Sequence, residues 1–269
     1  SDISKFFDVI FPVFHGTLGE DGTFQGLLRM FNVPFVGAGV LGSAIGMDKD
    51  VTKRLLRDAG IRIAKYLTFS WHERDSVVYE DARTILGDVI FVKPANLGSS
   101  VGVSKVKSQQ DFTKALDEVF SCDNKVILEE FIEGREIECS VLGNEYPEVS
   151  LPGEIVLKRD FYSYSAKYLD GDAADLKIPA CLPAEIVDEI RQTALKAYKV
   201  LCCEGMARID FFLRDNREIF LNEINTIPGF TEEISMYPKL WAVSGLPYPK
   251  LLDKLVELAI SRHQRGSRI

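Results

Sequence analysis

Met206-Ala207-Arg208-Ile209-Asp210-Phe211-Phe212-Leu213 and Glu218-Ile219-Phe220-Leu221-Asn222-Glu223-Ile224-Asn225 alternate as half-buried strands do, with the polar triplet Asp215-Asn216-Arg217 between them. With Asn216 and Arg217 at the tip of a hairpin, Asp210 lies opposite Glu223 and Arg208 opposite Asn225. Side chains on one face of a strand recur every second residue, so all four share a face. Two carboxylates and an amide make an oxygen-rich set that a hard cation such as Mg²⁺ prefers, and Arg208 beside them is able to hold an anion. The hairpin alone supports two readings, a site for metal-bound phosphate and a charged cross-strand ladder facing water.

The 269 residues suffice for two domains and a substantial core. Hydrophobic residues make up 46% and charged residues 27%, an ordinary globular balance. A net charge of −8 argues against nucleic acid or an anionic membrane as the main partner. The basic run from Arg262 to Arg268 reads as a solvated tail. No apolar stretch approaches the ~20 residues of a membrane span, and the acidic and polar opening predicts no signal peptide. Cys122, Cys139, Cys181, Cys202 and Cys203 have no paired spacing, so they are expected to be buried thiols in a reducing cytoplasm.

Phe7–Val13 has the pattern of a buried parallel strand, followed by the glycine-punctuated loop His15 to Gly22, a helix over Thr23–Phe31 and a short strand at Pro34–Val36. A helix is expected from Asp48 to Ala59, stopped by Gly60. Strands follow at Tyr66–Phe69, Val89–Lys93, Gly102–Val106 and Lys125–Phe131, with a helix at Gln109–Phe120. Ile137–Leu142 and Glu148–Val156 read as strands and Ala184–Leu201 as an amphipathic helix, before the hairpin and a last helix from Pro249 to His263. Lys158 to Lys177 is polar, without an apolar period, yet holds three tyrosines and Lys167. A loop of that length carrying that much aromatic area has the composition of a lid that closes on a ligand.

Lys93-Pro94-Ala95-Asn96-Leu97-Gly98-Ser99-Ser100-Val101-Gly102 joins two expected strands. Gly98 and the serines allow the backbone close to an anion, and Lys93 would add a point charge; the alternative is a plain turn. Neither a P-loop nor a G-x-G-x-x-G pattern is present. Lys49 opens a helix, and by itself reads as a surface lysine. Leu128 to Glu136 ends a strand with carboxylates able to meet a nucleobase or ribose, or simply an acidic turn.

Taken in order, His15-Gly16 with Gly19-Glu20-Asp21-Gly22, Met47-Asp48-Lys49, the Lys93 to Gly102 loop, Ala166-Lys167-Tyr168, Arg208-Ile209-Asp210 and Glu223-Ile224-Asn225-Thr226-Ile227-Pro228-Gly229 resemble the D-alanine–D-alanine ligase family, ATP-grasp enzymes of peptidoglycan synthesis. The resemblance covers essentially the whole chain. It implies α/β and α+β architecture: an ATP-grasp fold with the remainder of an N-terminal parallel α/β domain over 1–47, a central domain over 48–137, and a C-terminal domain over 138–269 with the lid at 158–177. It implies ATP and two Mg²⁺ ions, with Mn²⁺ able to serve, D-alanine as substrate, a homodimer, and no nucleic-acid or membrane partner.

By the same resemblance Lys49 and Lys93 hold ATP phosphates. Glu129 and Glu136 meet the adenine amino group and the ribose, and Phe131 and Ile132 line the adenine pocket. Asp210, Glu223 and Asn225 ligate the metals, and Lys167 reaches the γ-phosphate from the lid. Arg208 and the Gly229 N–H form the oxyanion hole, and Ser99 pairs with Tyr168. His15 and Glu20 border the first amino-acid site, while Ser235 holds the second carboxylate. Two departures stand out. Thr231-Glu232-Glu233-Ile234-Ser235 has one residue more than the family pattern before that serine, and the sequence begins after a family segment carrying a glycine-rich turn and a glutamate. The alternatives are another ATP-grasp carboxylate–amine ligase, including one that makes a D-alanine–D-lactate depsipeptide, and a nucleotide-binding module without ligase activity. Tyr168 favours the dipeptide.

Overall fold

The computed structural model describes residues 5–98, 101–157 and 174–266. Two antiparallel sheets organise them. The smaller has four strands in the order β1-β4-β2-β3, formed by β1 (Tyr66–Ser70), β2 (Ile90–Pro94), β3 (Ser104–Val106) and β4 (Lys125–Glu130). The larger runs β10-β9-β5-β7-β8, from β5 (Arg135–Gly143), β7 (Gly153–Leu157), β8 (Ala174–Lys177), β9 (Gly205–Arg214) and β10 (Glu218–Asn225), with the two-residue β6 (Glu148–Val149) also on β5.

Each sheet buries one face under helices and leaves the other for chemistry. In the larger sheet Ile137, Cys139 and Val141 of β5 and Ala207, Ile209, Phe211 and Leu213 of β9 enter one core. Helix α6 (Ala184–Val200) covers it with Ile186, Ile190, Ala194 and Ala197, a stripe at helical spacing. The intervening residues Glu136, Glu138 and Ser140, and Arg208, Asp210 and Phe212, therefore face the other way. In the smaller sheet Ile90, Val92, Val126 and Leu128 pack on α4 (Tyr79–Leu86) and α5 (Gln109–Cys122), leaving Phe91, Lys93, Ile127 and Glu129 on the opposite face.

The element that carries Lys49 is built from local signals. Asp48 caps α3 (Lys49–Asp58) by accepting from the N–H groups of Asp50 and Val51, and Gly60 ends the turn at φ +69°. Lys49 N–H donates to Ala95 O at 3.0 Å, tying the helix to the loop after β2. A parallel bridge of Ile63 with Leu221 joins the linker after α3 to the larger sheet.

Several expectations need correction. The strand expected at Phe7–Val13 is reduced to one parallel bridge, Ile10 with Phe35, and Phe7, Val13 and Phe14 are exposed. Glu148–Val156 is broken at Ser150–Pro152 into β6 and β7, where proline has no N–H for the ladder. Ala174–Lys177, placed in the lid, is strand β8 on β7, and the rest of that segment, 158–173, lies outside the described residues. Helices α2 (Val40–Met47), α4 and α7 (Met236–Val243) were not expected. Arg262 is not in a solvated tail. It lies within α8 (Tyr248–Gly266) and donates to the carbonyls of Gly37 and Phe35. Of the cysteines, Cys139 and Cys203 are buried, whereas Cys122, Cys181 and Cys202 are exposed; all five are free thiols.

Candidate active site between the two sheets

Arg208 is the hub of the larger sheet's open face. Its guanidinium meets Asp210 in a two-pronged pair, Nε to Oδ1 and Nη2 to Oδ2, both at 2.7 Å. Nε also lies 3.1 Å from Glu138 Oε2 on the neighbouring strand. Asn225, oriented as its neighbours require, accepts from Arg208 Nη2 at 3.2 Å and donates to Glu20 Oε1 at 3.2 Å. Burial opposes the charge on Arg208, but Asp210 and Glu138 more than offset it and hold its pKa well above the ordinary value.

The expected cross-strand pairs are present: Glu223 opposite Asp210, and Asn225 opposite Arg208. Glu138 extends that row to a third carboxylate, because it pairs with Asp210 on the other side. Among the described residues, no three His, Cys, Asp or Glu side chains converge as a metal site. Both oxygens of Asp210 and the amide oxygen of Asn225 are turned to Arg208.

Glu20 links this row to the N-terminal loop. It is buried, accepts from Gly16 N–H, and lies 3.8 Å from His15 Nδ1. Glu20 holds the imidazole above its ordinary pKa against the opposing effect of burial. A methyl group on Gly98 would sit 3.6 Å from Glu20, so the tip of the loop after β2 closes over the same carboxylate. Gly229 and Ser235 meet as well: a Cβ on Gly229 would come within 2.9 Å of Ser235 Oγ. Thr231 N–H donates to that oxygen at 3.0 Å, in the turn that leads into α7.

On the facing sheet the cations gather. Glu129 is buried, with Lys53 Nζ 2.6 Å from one oxygen and Lys93 Nζ on the other. Burial pushes the carboxylate pKa up, but the two lysines outweigh it and hold it down at about 2. Lys49 Nζ donates to Leu97 O at 2.6 Å. Burial lowers the Lys49 pKa, and the charge of Glu223 works against that, which places Lys49 within electrostatic reach of the larger sheet's carboxylates. Beyond the lysines, Phe91 and Phe131 stack with centroids 5.9 Å apart, and Lys105 Nζ lies 4.1 Å over the Phe131 ring. Ile132 is buried against Phe220, with Phe212 packed alongside. Glu136 faces the same space, opposite Phe212.

The structure thus brings together Arg208, Asp210, Glu223, Asn225, Glu20 and His15, and sets Lys93 with Glu129, and Gly229 with Ser235. Ser99, Lys167 and Tyr168 lie outside the described residues. Sequence reading missed Glu138 and Lys53. Both were signalled by spacing: Glu138 follows Glu136 by one strand period, and Lys53 follows Lys49 by one helical turn. Neither was readable as buried, since charged residues at those spacings ordinarily face water.

Two antiparallel sheets, facing each other across lysines on one side and carboxylates with an arginine on the other, are the architecture of ATP-grasp proteins. The sequence comparisons narrow the class. Residues 55–257 match the family model described as D-ala D-ala ligase C-terminus, and residues 2–38 match D-ala D-ala ligase N-terminus. A D-alanine–D-alanine ligase of Oceanobacillus iheyensis is 56% identical over 97% of this chain and 71% of its own length. The D-alanine–D-alanine ligase of Coxiella burnetii superposes with a TM-score of 0.85 at 46% identity, over 97% of this chain and 71% of that one. The Bacillus anthracis D-alanine–D-alanine ligase complexed with ATP gives a TM-score of 0.84 at 29% identity, over 98% and 83%. The chain belongs to the D-alanine–D-alanine ligase family.

Proposed function

We infer that this protein joins two D-alanines to D-alanyl-D-alanine at the expense of ATP; its relatives are named D-alanine–D-alanine ligases, and one of them is complexed with ATP. The observation that carries the reading is the placement of Arg208, Asp210, Glu223 and Asn225 on one sheet face, opposite Lys93 and beside Lys49. Phosphoryl transfer consists mostly of positioning and charge neutralisation, and this cleft supplies both.

The carboxylate of the first D-alanine attacks the γ-phosphate, giving an acylphosphate and ADP. Lys49 and Lys93 neutralise the phosphates, and Glu129 with Lys53 fixes the ammonium of Lys93. The donor set of Asp210, Glu223 and Asn225, all hard oxygens, fits Mg²⁺, with Mn²⁺ as a substitute; bound there, Mg²⁺ would shield the phosphate charge. The amine of the second D-alanine then attacks the acyl carbon. The oxyanion that forms meets Arg208 and the N–H of Gly229, and phosphate leaves. His15 and Glu20 border the first D-alanine, Ser235 holds the carboxylate of the second, and Phe131 and Ile132 take the adenine with Glu136 at the ribose. Ser99, Lys167 and Tyr168 keep the lid roles that the resemblance implies. The product serves peptidoglycan synthesis in the cytoplasm, with the protein acting as a homodimer.

The test is phosphate release from Mg-ATP with D-alanine alone, with D-alanine plus D-lactate, and without an acceptor. Dipeptide formed from D-alanine alone is expected. Predominant depsipeptide would assign the chain to the D-lactate branch, and nucleotide binding without phosphate release would leave a binding module.

A further inference from the structure

We propose that Glu138 is a positioning residue that takes charge of Arg208 when a cation claims the oxygens of Asp210 and Asn225. The inference rests on the ligase reading above and deepens it at the metal site.

Arg208 holds Asp210 through both Nε and Nη2, and Asn225 through Nη2. Both of those partners belong to the donor set assigned to the metal. A cation there competes with the guanidinium for the same oxygens and repels its charge, which favours the arginine letting go of them. Releasing a buried guanidinium from its two-pronged carboxylate without another acid at hand would be costly. Glu138 removes that obstacle. Among the described residues it is the Arg208 ion-pair partner on β5 rather than on the metal-bearing hairpin; its Oε2 lies 3.1 Å from Nε, whose single N–H is given to Asp210 Oδ1, and it is only 5% exposed. Its register opposite Asp210 places it on the far side of β9 from Glu223. Arg208 can therefore pass its Nε–H from Asp210 Oδ1 to Glu138 Oε2, already 3.1 Å away, and turn toward β5. It stays charged, and its Nη groups turn into the cleft where the tetrahedral oxyanion forms. Arg208 thus guards the carboxylates without metal and serves the reaction with metal, and Glu138 is the hinge between the two.

The experiment titrates Mn²⁺ into the full chain with ADP, reading free Mn²⁺ from its EPR signal, for the wild type, Glu138→Gln and Glu138→Asp. Kinetics with Mg-ATP and D-alanine run alongside. Aspartate keeps the charge but is one methylene too short to hold Nε. Both variants are expected to bind Mn²⁺ about tenfold more weakly, the worth of one charge-assisted hydrogen bond. Turnover should fall in both, with KM for D-alanine within about twofold of wild type, since a rate effect without a binding effect marks a group acting in the transition state. Wild-type Mn²⁺ affinity in Glu138→Asp would mean that charge alone matters, and overturns the role, as would unchanged affinity in Glu138→Gln. If the single variants do not fold, Arg208→Met is compared with Arg208→Met/Glu138→Gln. Equal Mn²⁺ affinity in the two supports action through the arginine, and a further drop in the double variant overturns it. Failure of the ligase reading is distinguishable, because a wild type that binds Mn²⁺ and ADP yet forms no dipeptide still reports the Glu138 effect in the metal titration.

Discussion

Asp210 faces Glu223 across β9 and β10 because Asn222 is an extra residue in the ladder: Leu221 pairs with Phe211, yet the next partner of the hairpin, Asp210, meets Glu223. The bulge reverses which side chains of β10 look into the cleft. Leu221 and Ile224, three residues apart, both enter the same core, which an uninterrupted strand would not allow. Carried on without the bulge, the register set at the turn would bring Asn222 opposite Asp210 and send Glu223 to the other face.

If that pairing serves a cation, losing either carboxylate should be felt in catalysis and not in folding. Asp210→Asn and Glu223→Gln are each expected to lower kcat with Mg-ATP by on the order of 10²-fold or more. The near-ultraviolet circular dichroism and the melting temperature should stay close to wild type. Turnover within a few-fold of wild type in either variant would reduce the row to a cross-strand charge ladder.

The hairpin also marks how far the sequence could be read. Alternation located both strands, and a two-residue tip with a regular ladder puts Asp210 with Glu223. The turn is in fact Asp215-Asn216-Arg217, with Asp215 and Asn216 at φ +51° and +53°, and the bulge makes up the difference. Two offsets cancelled. Bulges leave no compositional mark as clear as Gly60 at the end of α3, which was anticipated. Helix α2 was missed because Val40-Leu41-Gly42-Ser43-Ala44-Ile45-Gly46-Met47 carries two glycines and almost no polar face. Gly42 is there for contact, since a Cβ would strike Cys202 O at 2.5 Å, and such a tertiary cause has no local signature. The alternation of β5 could have found Glu138, but nothing short of the register could have placed it against Arg208.

The Lys53–Glu129–Lys93 arrangement makes stability depend on pH. Glu129 titrates near 4.5 when unfolded and at about 2 in the fold, because the two lysines outweigh its burial. A depressed folded pKa means the unfolded chain binds the proton first. The stabilisation is therefore complete above about pH 4.5 and is lost as pH falls toward 2. It amounts to about 3 kcal/mol at most. Urea unfolding from pH 6 to pH 3 should show this loss in the wild type and a flatter curve in Glu129→Gln. The variant is also expected to be less stable at pH 7, by about 3–5 kcal/mol, since two lysines lose their shared partner. Parallel pH curves for the two proteins would remove Glu129 from this role.

Gly229 is needed for a different reason. It has no left-handed backbone to maintain, but a side chain there would press on Ser235 Oγ at 2.9 Å. Gly229→Ala should push the serine from the position set by Thr231 N–H. Because Ser235 is assigned to the second D-alanine, the expected result is a rise of about tenfold in KM for that substrate, with KM for ATP unchanged. Steady-state analysis at low and saturating D-alanine separates the two amino-acid sites. Equal effects on both, or on ATP, would detach Ser235 from the second site.

Arg262 fastens the described N-terminal segment, through Phe35 and Gly37, to the body of the protein. Its guanidinium donates to Gly37 O and Phe35 O, lies 4.4 Å over the Phe35 ring, and has Glu204 at 3.8 Å. Burial lowers its pKa, against the pull of Glu204. The segment it holds carries His15 and Glu20, so the contact reaches the site indirectly, through the bridge of Ile10 with Phe35. Arg262→Ala leaves two carbonyls without their charged donor and should cost about 3 kcal/mol. Arg262→Lys should recover only part of that, since an ammonium lacks the planar fork that serves two acceptors and stacks on a ring. Proteolysis mapped by mass spectrometry should then quicken between Phe31 and Val40 in the alanine variant, before the core around α6 is touched. Cleavage at the wild-type rate, with an unchanged urea midpoint, would mean that the N-terminal segment is held by its apolar contacts alone.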